Sequence, residues 1–382
     1  MEKPIKIRLH VLSPIHIGCD DVYEPTSFVI DEEKKKLIEF DPLEFVKSLN
    51  PQELAELSKT ATTDNLLAIF KTIKRLYKPS IKGREVEITD YLVSHYKKIL
   101  GMGTYEKNAV INQFTINRTA YKSFDNMPYI PGSSIKGSIR TAYLNMLAKE
   151  KGITQCWKMY LGKNELKSYD EIYKNINKGR NNIAEKLEEE LLGGRFSSDP
   201  FSYVKVSDFL PLENVRTKII YAINRKKSAR KEETSAERSE LYQIFEVIQR
   251  ESVFEGVINL VKPLENLFVS LNDFYTQILQ QDASILQNTG SDICLTSEVN
   301  RKFGEKIDEK AFVICLGRHS GAEAVTIEGN RLIRIMQGKD KAGKMRYEYK
   351  PYSTTIWLAS DSPKPESNNG LLPFGWAVLE LV

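Results

Sequence analysis

Hydrophobic and polar positions at the start of the chain alternate with a period of two. Ile5, Ile7, Leu9 and Val11 face one way and Lys6, Arg8 and His10 the other, which predicts a strand with one buried and one basic side. SPIHIG (Ser13–Gly18) turns the chain, and Ser27–Ile30 with Lys36–Phe40 predict a short hairpin around a charged turn. From Pro42 to Leu100 the apolar residues fall at helical spacing, through Phe45, Val46 and Leu49, then Leu66, Leu67 and Phe70, then Leu92, Tyr96 and Ile99. Strand pattern returns at Gln113–Tyr121, so residues 50–105 read as a helical insertion. Ile135, Ile139, Ala142 and Met146, widened by Tyr143 and Leu147, mark the core side of a helix that starts near Gly132. Residues 150–195 read as a second, peripheral helical insertion with an acidic cluster.

Beyond it, Phe201–Phe209 predicts a strand, and Lys218–Asn224 with Tyr242–Ile248 predict a long hairpin with a highly charged tip. Val253–Val261 is a strand, Leu264–Leu286 an amphipathic helix, and Ala311–Leu316, Thr354–Ala359 and Trp376–Leu381 are short closing strands. The order of strand, glycine-containing loop, helix and further strands occurs in both halves. The pattern predicts an α+β fold of two units, residues 1–212 and 213–382, compatible with two ferredoxin-like arrangements and a protruding hairpin thumb at 216–248.

Composition narrows the chemistry. Lys and Arg number 55 against 51 acids, so the net charge is only +4 and any nucleic-acid surface must come from local clustering. The four cysteines (Cys19, Cys156, Cys294, Cys315) form no CxxC and do not pair with the four histidines, which excludes zinc-ligand spacing and argues against a disulfide framework. The N-terminus has no signal-peptide core and no run reaches transmembrane length, so the expected setting is the cytoplasm.

The most informative stretch is PYIPGSSIKGSIRTAYLNML, Pro128–Leu147. Its first two helical turns carry Lys136 and Arg140 and no acid, although a helix start favours negative charge. Ser133 or Ser134 is placed to cap, Gly132 and Gly137 permit close backbone approach, and free N–H groups suit a phosphate. The same residues equally fit a packed helix with a solvated polar face. Arg118, on the strand leading into this helix, is a further candidate RNA contact. Between Arg216 and Lys231 lie seven basic residues and no acid: Arg216, Lys218, Arg225, Lys226, Lys227, Arg230 and Lys231. That segregation suits a phosphate backbone more than a merely solubilising loop. Gly317, Arg318, His319 and Gly321 in GRHSG follow an apolar strand and predict a tight, donor-lined bend. His16 is the one acid/base candidate near this groove, and its alternative role is to fix the loop or touch RNA. Walker A, GxGxxG, HExxH, GxSxG, a two-metal carboxylate pair and the RRM aromatic signature are all absent.

Three segments, SPIHIG, IPGSSIKGSIRTA (Ile130–Ala142) and LGRHSG (Leu316–Gly321), resemble the RAMP superfamily of CRISPR-associated proteins. YEPTSFVID…LIEFDPLEFVKSL (Tyr23–Leu49) makes the chain most similar to the family of fifth Csm subunits of type III-A effector complexes. The resemblance covers most of the chain and is weakest in the two helical insertions. It implies two ferredoxin-like folds, no cofactor, no metal and a non-catalytic role capping the crRNA 3′ end. It also implies contact with the guide–target RNA duplex, the backbone RAMP subunit and the small subunit, and crRNA maturation through cellular ribonucleases. The bend departs from the family in being less rich in glycine. The expected RNA contacts are Gly132, Ser133, Ser134, Lys136, Gly137, Arg140, Gly317, Arg318, His319 and Gly321, with His16, Arg118 and the arm from Arg225 to Lys231. Two alternatives stand beside this reading: a metal-independent RAMP endoribonuclease using His16, and a protein-only scaffold.

Overall fold

Strand β1 (Ile5–Val11) buries Ile7, Leu9 and Val11, as the alternation predicts. Its basic side is neutralised at home. Lys6 and Arg8 meet Glu255 at 2.9 and 3.7 Å, and His10 meets Glu380 at 2.9 Å. The computed structural model describes residues 4–63, 65–103, 114–158, 168–178, 182–194, 198–227, 241–290, 297, 299–307, 309–340 and 342–382.

In chain order, β2 (Gly18–Val22), β3 (Phe28–Asp31) and β4 (Lys36–Glu39) precede helices α1 (Pro42–Lys47), α2 (Pro51–Ala61) and α3 (Leu66–Leu76). β5 (Arg84–Ile88), α4 (Asp90–Gly101), β6 (Ile116–Thr119), α5 (Gly132–Glu150), α6 (Tyr169–Lys178) and α7 (Ile183–Leu192) follow. Helices α1 to α4 begin at Asp41, Asn50, Asn65 and Thr89, whose side chains accept the free N–H groups of the first turn. The second half holds β7 (Val204–Val206), β8 (Leu210–Glu213), β9 (Thr217–Lys226), β10 (Tyr242–Ile248), β11 (Val253–Leu260), α8 (Val269–Gln281) and α9 (Ala283–Thr289). It ends in β12 (Ala311–Cys315), β13 (Ile333–Lys339), β14 (Met345–Lys350), β15 (Thr355–Ser360), β16 (Leu372–Pro373) and β17 (Trp376–Leu381).

The strands form two main sheets. The first runs β12-β17-β1-β11-β7, with β8 also on β11. Helices α5 and α8 bury Ile135, Ile139, Leu271 and Phe274 with Ile7 and Leu9 of that sheet. Taken as β1-α5-β7-β11-α8-β17, this is the strand–helix–strand, strand–helix–strand order of a ferredoxin-like unit, with β12 added outside β17. The second sheet runs β2-β6-β10-β9-β5-β4-β3, and β15 pairs with the far end of β9. Helices α3 and α4 cover one of its faces through Phe70 and Tyr96. Both sheets draw strands from before and after residue 212, so pairing crosses that chain-order division.

Two expectations are corrected. The 50–105 insertion is not wholly helical, because β5 lies within it and slots between β4 and β9. The described arms of the 216–248 hairpin do not stand free of the fold either: β9 and β10 are central strands, with Ile219, Tyr221, Ile223, Ile244 and Phe245 buried. Its charged tip, with Arg230 and Lys231, lies outside the described residues. The two-stranded ribbon in the described structure is β13–β14, which pairs only with itself. Among the described residues no helix is long and apolar enough to cross a membrane.

Two glycines of α5 do opposite jobs. A Cβ on Gly132 would stand 2.4 Å from the Val206 carbonyl oxygen and 2.6 Å from that of Ser207, whereas one on Gly137 would meet nothing within 4 Å. Gly132→Ala therefore forces two backbones apart and should cost about 1–3 kcal/mol, the range for overpacking. Gly137→Ala should instead stabilise by roughly 0.5–1 kcal/mol, as expected for alanine in an open helical position. Urea denaturation of both variants checks the pair.

Candidate nucleic-acid interface

Three segments distant in sequence meet at one junction. The turn after β1 presents the His16 carbonyl, which accepts a hydrogen bond from the Arg318 N–H at 2.8 Å. Gly317, at φ +83°, lies so close that a Cβ there would stand 2.6 Å from that same oxygen. Only glycine combines this left-handed backbone with that approach. Ser138 of α5 donates to the Cys315 carbonyl at 3.0 Å, which ties the helix to the strand end that launches the bend. A fourth piece, Phe374–Trp376, completes the junction. Gly375, at φ +91°, donates to the Pro14 carbonyl at 3.0 Å, and the Trp376 N–H donates to Ser13 Oγ at 3.0 Å. The sequence reading missed this piece, although a glycine just before a closing strand was its signal.

The cations of α5 point away from the bend. Lys136 donates to the carbonyls of Phe201 and Val204 at 2.7 and 2.8 Å, and burial lowers its pKa. Arg140 bridges Asp199 and Glu188, both at 2.7 Å, and so staples α5 to α7 and to the turn before β7. Neither Ser133 nor Ser134 caps the helix. Gly132 is buried, and its N–H donates to Asp208 Oδ1 at 2.8 Å, so the anion favoured by this helix start is an internal carboxylate. Lys136, Arg140 and the Gly132 amide thus hold α5 in place through internal partners.

Other expected contacts are internal too. Arg118 is buried, pairs with Glu39 at 2.7 Å and lies 3.5 Å over the Tyr121 ring. Arg225 is buried beside Asn368, to which it donates at 3.1 Å. Lys227 pairs with Asp282 at 2.6 Å and Glu323 at 3.3 Å. Lys226 is exposed on the end of β9. His16 is fully buried, bonds the Glu246 carbonyl at 2.8 Å through Nδ1 and packs on Phe245. Burial lowers its pKa and holds the ring neutral, so the geometry fixes the turn rather than presenting a general base. His319 sits at φ +68°, stacked on Trp357 at 4.5 Å.

Exposed groups remain around the junction: Ser133 and Gly137 along α5, Gly18 after the first turn, and Arg318 and Gly321 on the bend. Lys205, which charge counting passed over, is exposed and has no ion pair among the described residues. No group of three or more metal-ligating side chains occurs among the described residues. The surface offers hydroxyls, open glycine backbone and isolated cations, a set that suits a ribose-phosphate strand better than a base-reading contact.

The histidines set an acid limit. Burial lowers the pKa of His10 and His16, that of His95 to about 4 and that of His319 to about 3. Each titrates near 6.5 when unfolded, so below that pH the unfolded chain binds more protons and stability falls as pH drops. The raised carboxyls of Glu39 and Asp282 oppose this at the acid end. The melting temperature should therefore fall from pH 7.5 to 5, and His95→Gln, which keeps a hydrogen-bonding group beside Tyr221, should reduce the fall. Thermal denaturation at both pH values checks this.

Residues 8–304 match the RAMP superfamily. CRISPR system Cms protein Csm5 of Methanocaldococcus jannaschii is 26% identical over 217 residues, which cover 55% of this chain and 43% of that protein. Its Streptococcus thermophilus counterpart is 26% identical over 221 residues, covering 56% and 54%. The chain spans about half the length of the curated relatives it matches. Among solved structures, one chain of a type III-A Csm–crRNA–target RNA ternary complex superposes with TM-score 0.59 at 19% identity, over 99% of this chain and 100% of that one. T. onnurineus Csm5 superposes with TM-score 0.56 at 18% identity, over 97% and 99%. These two likenesses show the fold. With a matched region that takes in the first-strand turn and all of α5, the chain belongs to the RAMP superfamily.

Proposed function

We propose that this chain is the Csm5-type subunit of a type III-A CRISPR effector complex, binding crRNA at its 3′ end without cleaving it. The carrying observation is the junction itself, where the first-strand turn, α5 and the glycine bend are bonded into one surface with Ser133, Gly137 and Arg318 exposed. Both curated relatives are named Csm5, and one fold neighbour comes from a complex with crRNA and target RNA. The phosphate contacts are Ser133, Ser134 and the Gly137 backbone edge, with Arg318 and Lys205 supplying charge. Lys136 and Arg140 act indirectly, by fixing the helix. Recognition is of backbone and shape, since the exposed groups carry no paired donors and acceptors for base edges. The buried, bonded state of His16 supports a non-catalytic subunit. The backbone RAMP subunit and the small subunit are the expected neighbours, and recruited cellular ribonucleases supply crRNA maturation.

Arg318→Ala should weaken binding of a crRNA-length oligoribonucleotide by about threefold to tenfold and reduce the salt slope by about one. Arg140→Ala should lower the melting temperature and leave that slope unchanged. Fluorescence anisotropy at two salt concentrations, with the subunit alone and in reconstituted complex, reads both. An Arg318→Ala variant that binds with wild-type affinity and salt slope would sink the assignment of this surface.

A further inference from the structure

Residues 333–350 contain six Lys or Arg and two acids, a net of +4, which equals the net charge of the whole chain. The excess is displayed on the β13–β14 ribbon. Lys339, Lys344 and Arg346 are exposed and have no ion pair among the described residues, whereas Lys6, Arg118 and Arg140 are paired with carboxylates of the fold. The two acids of the segment are engaged within it. Glu348 pairs with Lys350 at 3.2 Å, and Asp340 Oδ1 accepts the N–H groups of Ala342 and Lys344, both at 2.9 Å. Asp340 thereby shapes the turn at the tip, where Gly343 takes φ +79°.

The ribbon is built to keep this display in place. A two-stranded hairpin is marginally stable alone. Here its base is anchored: Tyr349 stacks on Tyr173 of α6 at 3.9 Å, and the Tyr349 N–H donates to Asp170 Oδ1 at 3.0 Å. Met336 stands opposite Tyr347 and Arg334 opposite Tyr349, so these four side chains share one face. The pair farther from the anchor stays open, Met336 at 63% and Tyr347 at 41% exposure, with the Arg334 guanidinium 4.6 Å from the Tyr347 ring centre. An open tyrosine among unpaired cations is the composition of a single-strand platform, in which the cations track phosphates and the ring takes a base. An A-form duplex keeps its base faces stacked inside, and an acidic protein surface would engage the cations alone. Unpaired RNA uses both.

We propose that the β13–β14 ribbon is a second RNA-contacting element that holds an unpaired stretch of the strand, with Lys339, Lys344 and Arg346 on phosphates and Tyr347 against a base. This rests on the RNA-binding reading above but uses no residue of the junction. The test compares the full chain with a Lys339→Gln/Lys344→Gln/Arg346→Gln variant and with Tyr347→Ser, on a crRNA-length oligoribonucleotide and on the same RNA annealed to its complement. The triple variant should bind the single strand about tenfold more weakly at low salt and flatten its salt slope by about two. Tyr347→Ser should also cost about tenfold on the single strand, the scale of one base–aromatic stack, with its slope unchanged and duplex binding unaffected. Tyr347→Phe should bind as wild type, and all three variants should keep the wild-type melting temperature. If the triple variant keeps the wild-type slope while Arg318→Ala lowers it, the inference falls and the RNA reading stands. Tyr347→Ser losses as large on the duplex, or absent from both RNAs, overturn the single-strand platform. Variants that bind RNA normally but fail to enter the reconstituted complex would make the ribbon a protein contact and overturn the inference as well. If the wild-type chain binds no RNA at low salt, both readings fall together.

Discussion

Glu246 is the constraint around which the rest is arranged. It is a fully buried carboxylate in the middle of β10, paired with Arg84 and accepting a hydrogen bond from Tyr23 at 2.9 Å. Arg84 also donates to Tyr23 at 2.6 Å and lies 3.8 Å from Glu39, which in turn holds Arg118. A buried ion pair adds little net stability, yet removing one partner leaves a charge stranded at a cost of about 3–5 kcal/mol. Such a group specifies register. Ile244 and Glu246 face the larger core of the second sheet, while Phe245 and Val247 face the small cluster with Phe374 and Ala359. Slipping β10 by one residue would put the carboxylate among those apolar side chains. The Glu246 carbonyl meanwhile bonds His16, so the strand that carries the charge also positions the turn on which the glycine bend rests.

Helix α5 shows the same economy. Its start lacks acids and carries Lys136, a pattern that asks for an anion above the first turn. Asp208 answers from 76 residues away, and Lys136 and Arg140 meet carbonyls and carboxylates on neighbouring segments. The helix start needs a negative partner, and its local sequence carries no sign of which residue supplies it. Charge counting finds donors along a sequence, but carbonyl acceptors and distant carboxylates carry no local signature.

That division describes what was legible more generally. Strands with clean alternation or a continuous apolar run, such as β1, β11 and β12, were read correctly, as was the β3–β4 hairpin, because their burial is decided by their own side chains. β5 (REVEI) was missed: it is short, flanked by helices, and has polar residues at three of five positions. β13 and β14 were missed for a related reason, since an exposed ribbon buries little and keeps a polar pattern. The basic arm was placed on a thumb because its charges cluster near the tip. Its apolar residues, Ile219 to Ile223, were the better guide to where β9 lies. For the site, the three motif segments were legible as segments and their convergence was not, because it depends on main-chain bonds from His16 to Arg318 and from Ser138 to Cys315.

The internal use of cations bears on the proposed RNA reading. Lys6, Arg84, Arg118, Lys136, Arg140 and Lys227 all have acceptors within the fold, and the net charge is only +4. Each phosphate neutralised contributes through counterion release, so cations already paired within the fold add little to the affinity expected of the isolated chain on the proposed reading. A strand already held by neighbouring subunits would instead meet this surface at high effective concentration, and weak contacts then suffice. On the proposed reading, a rigid junction of hydroxyls, glycine backbone and one guanidinium suits that regime, adding position and shape to a strand whose affinity is supplied along the rest of an assembly.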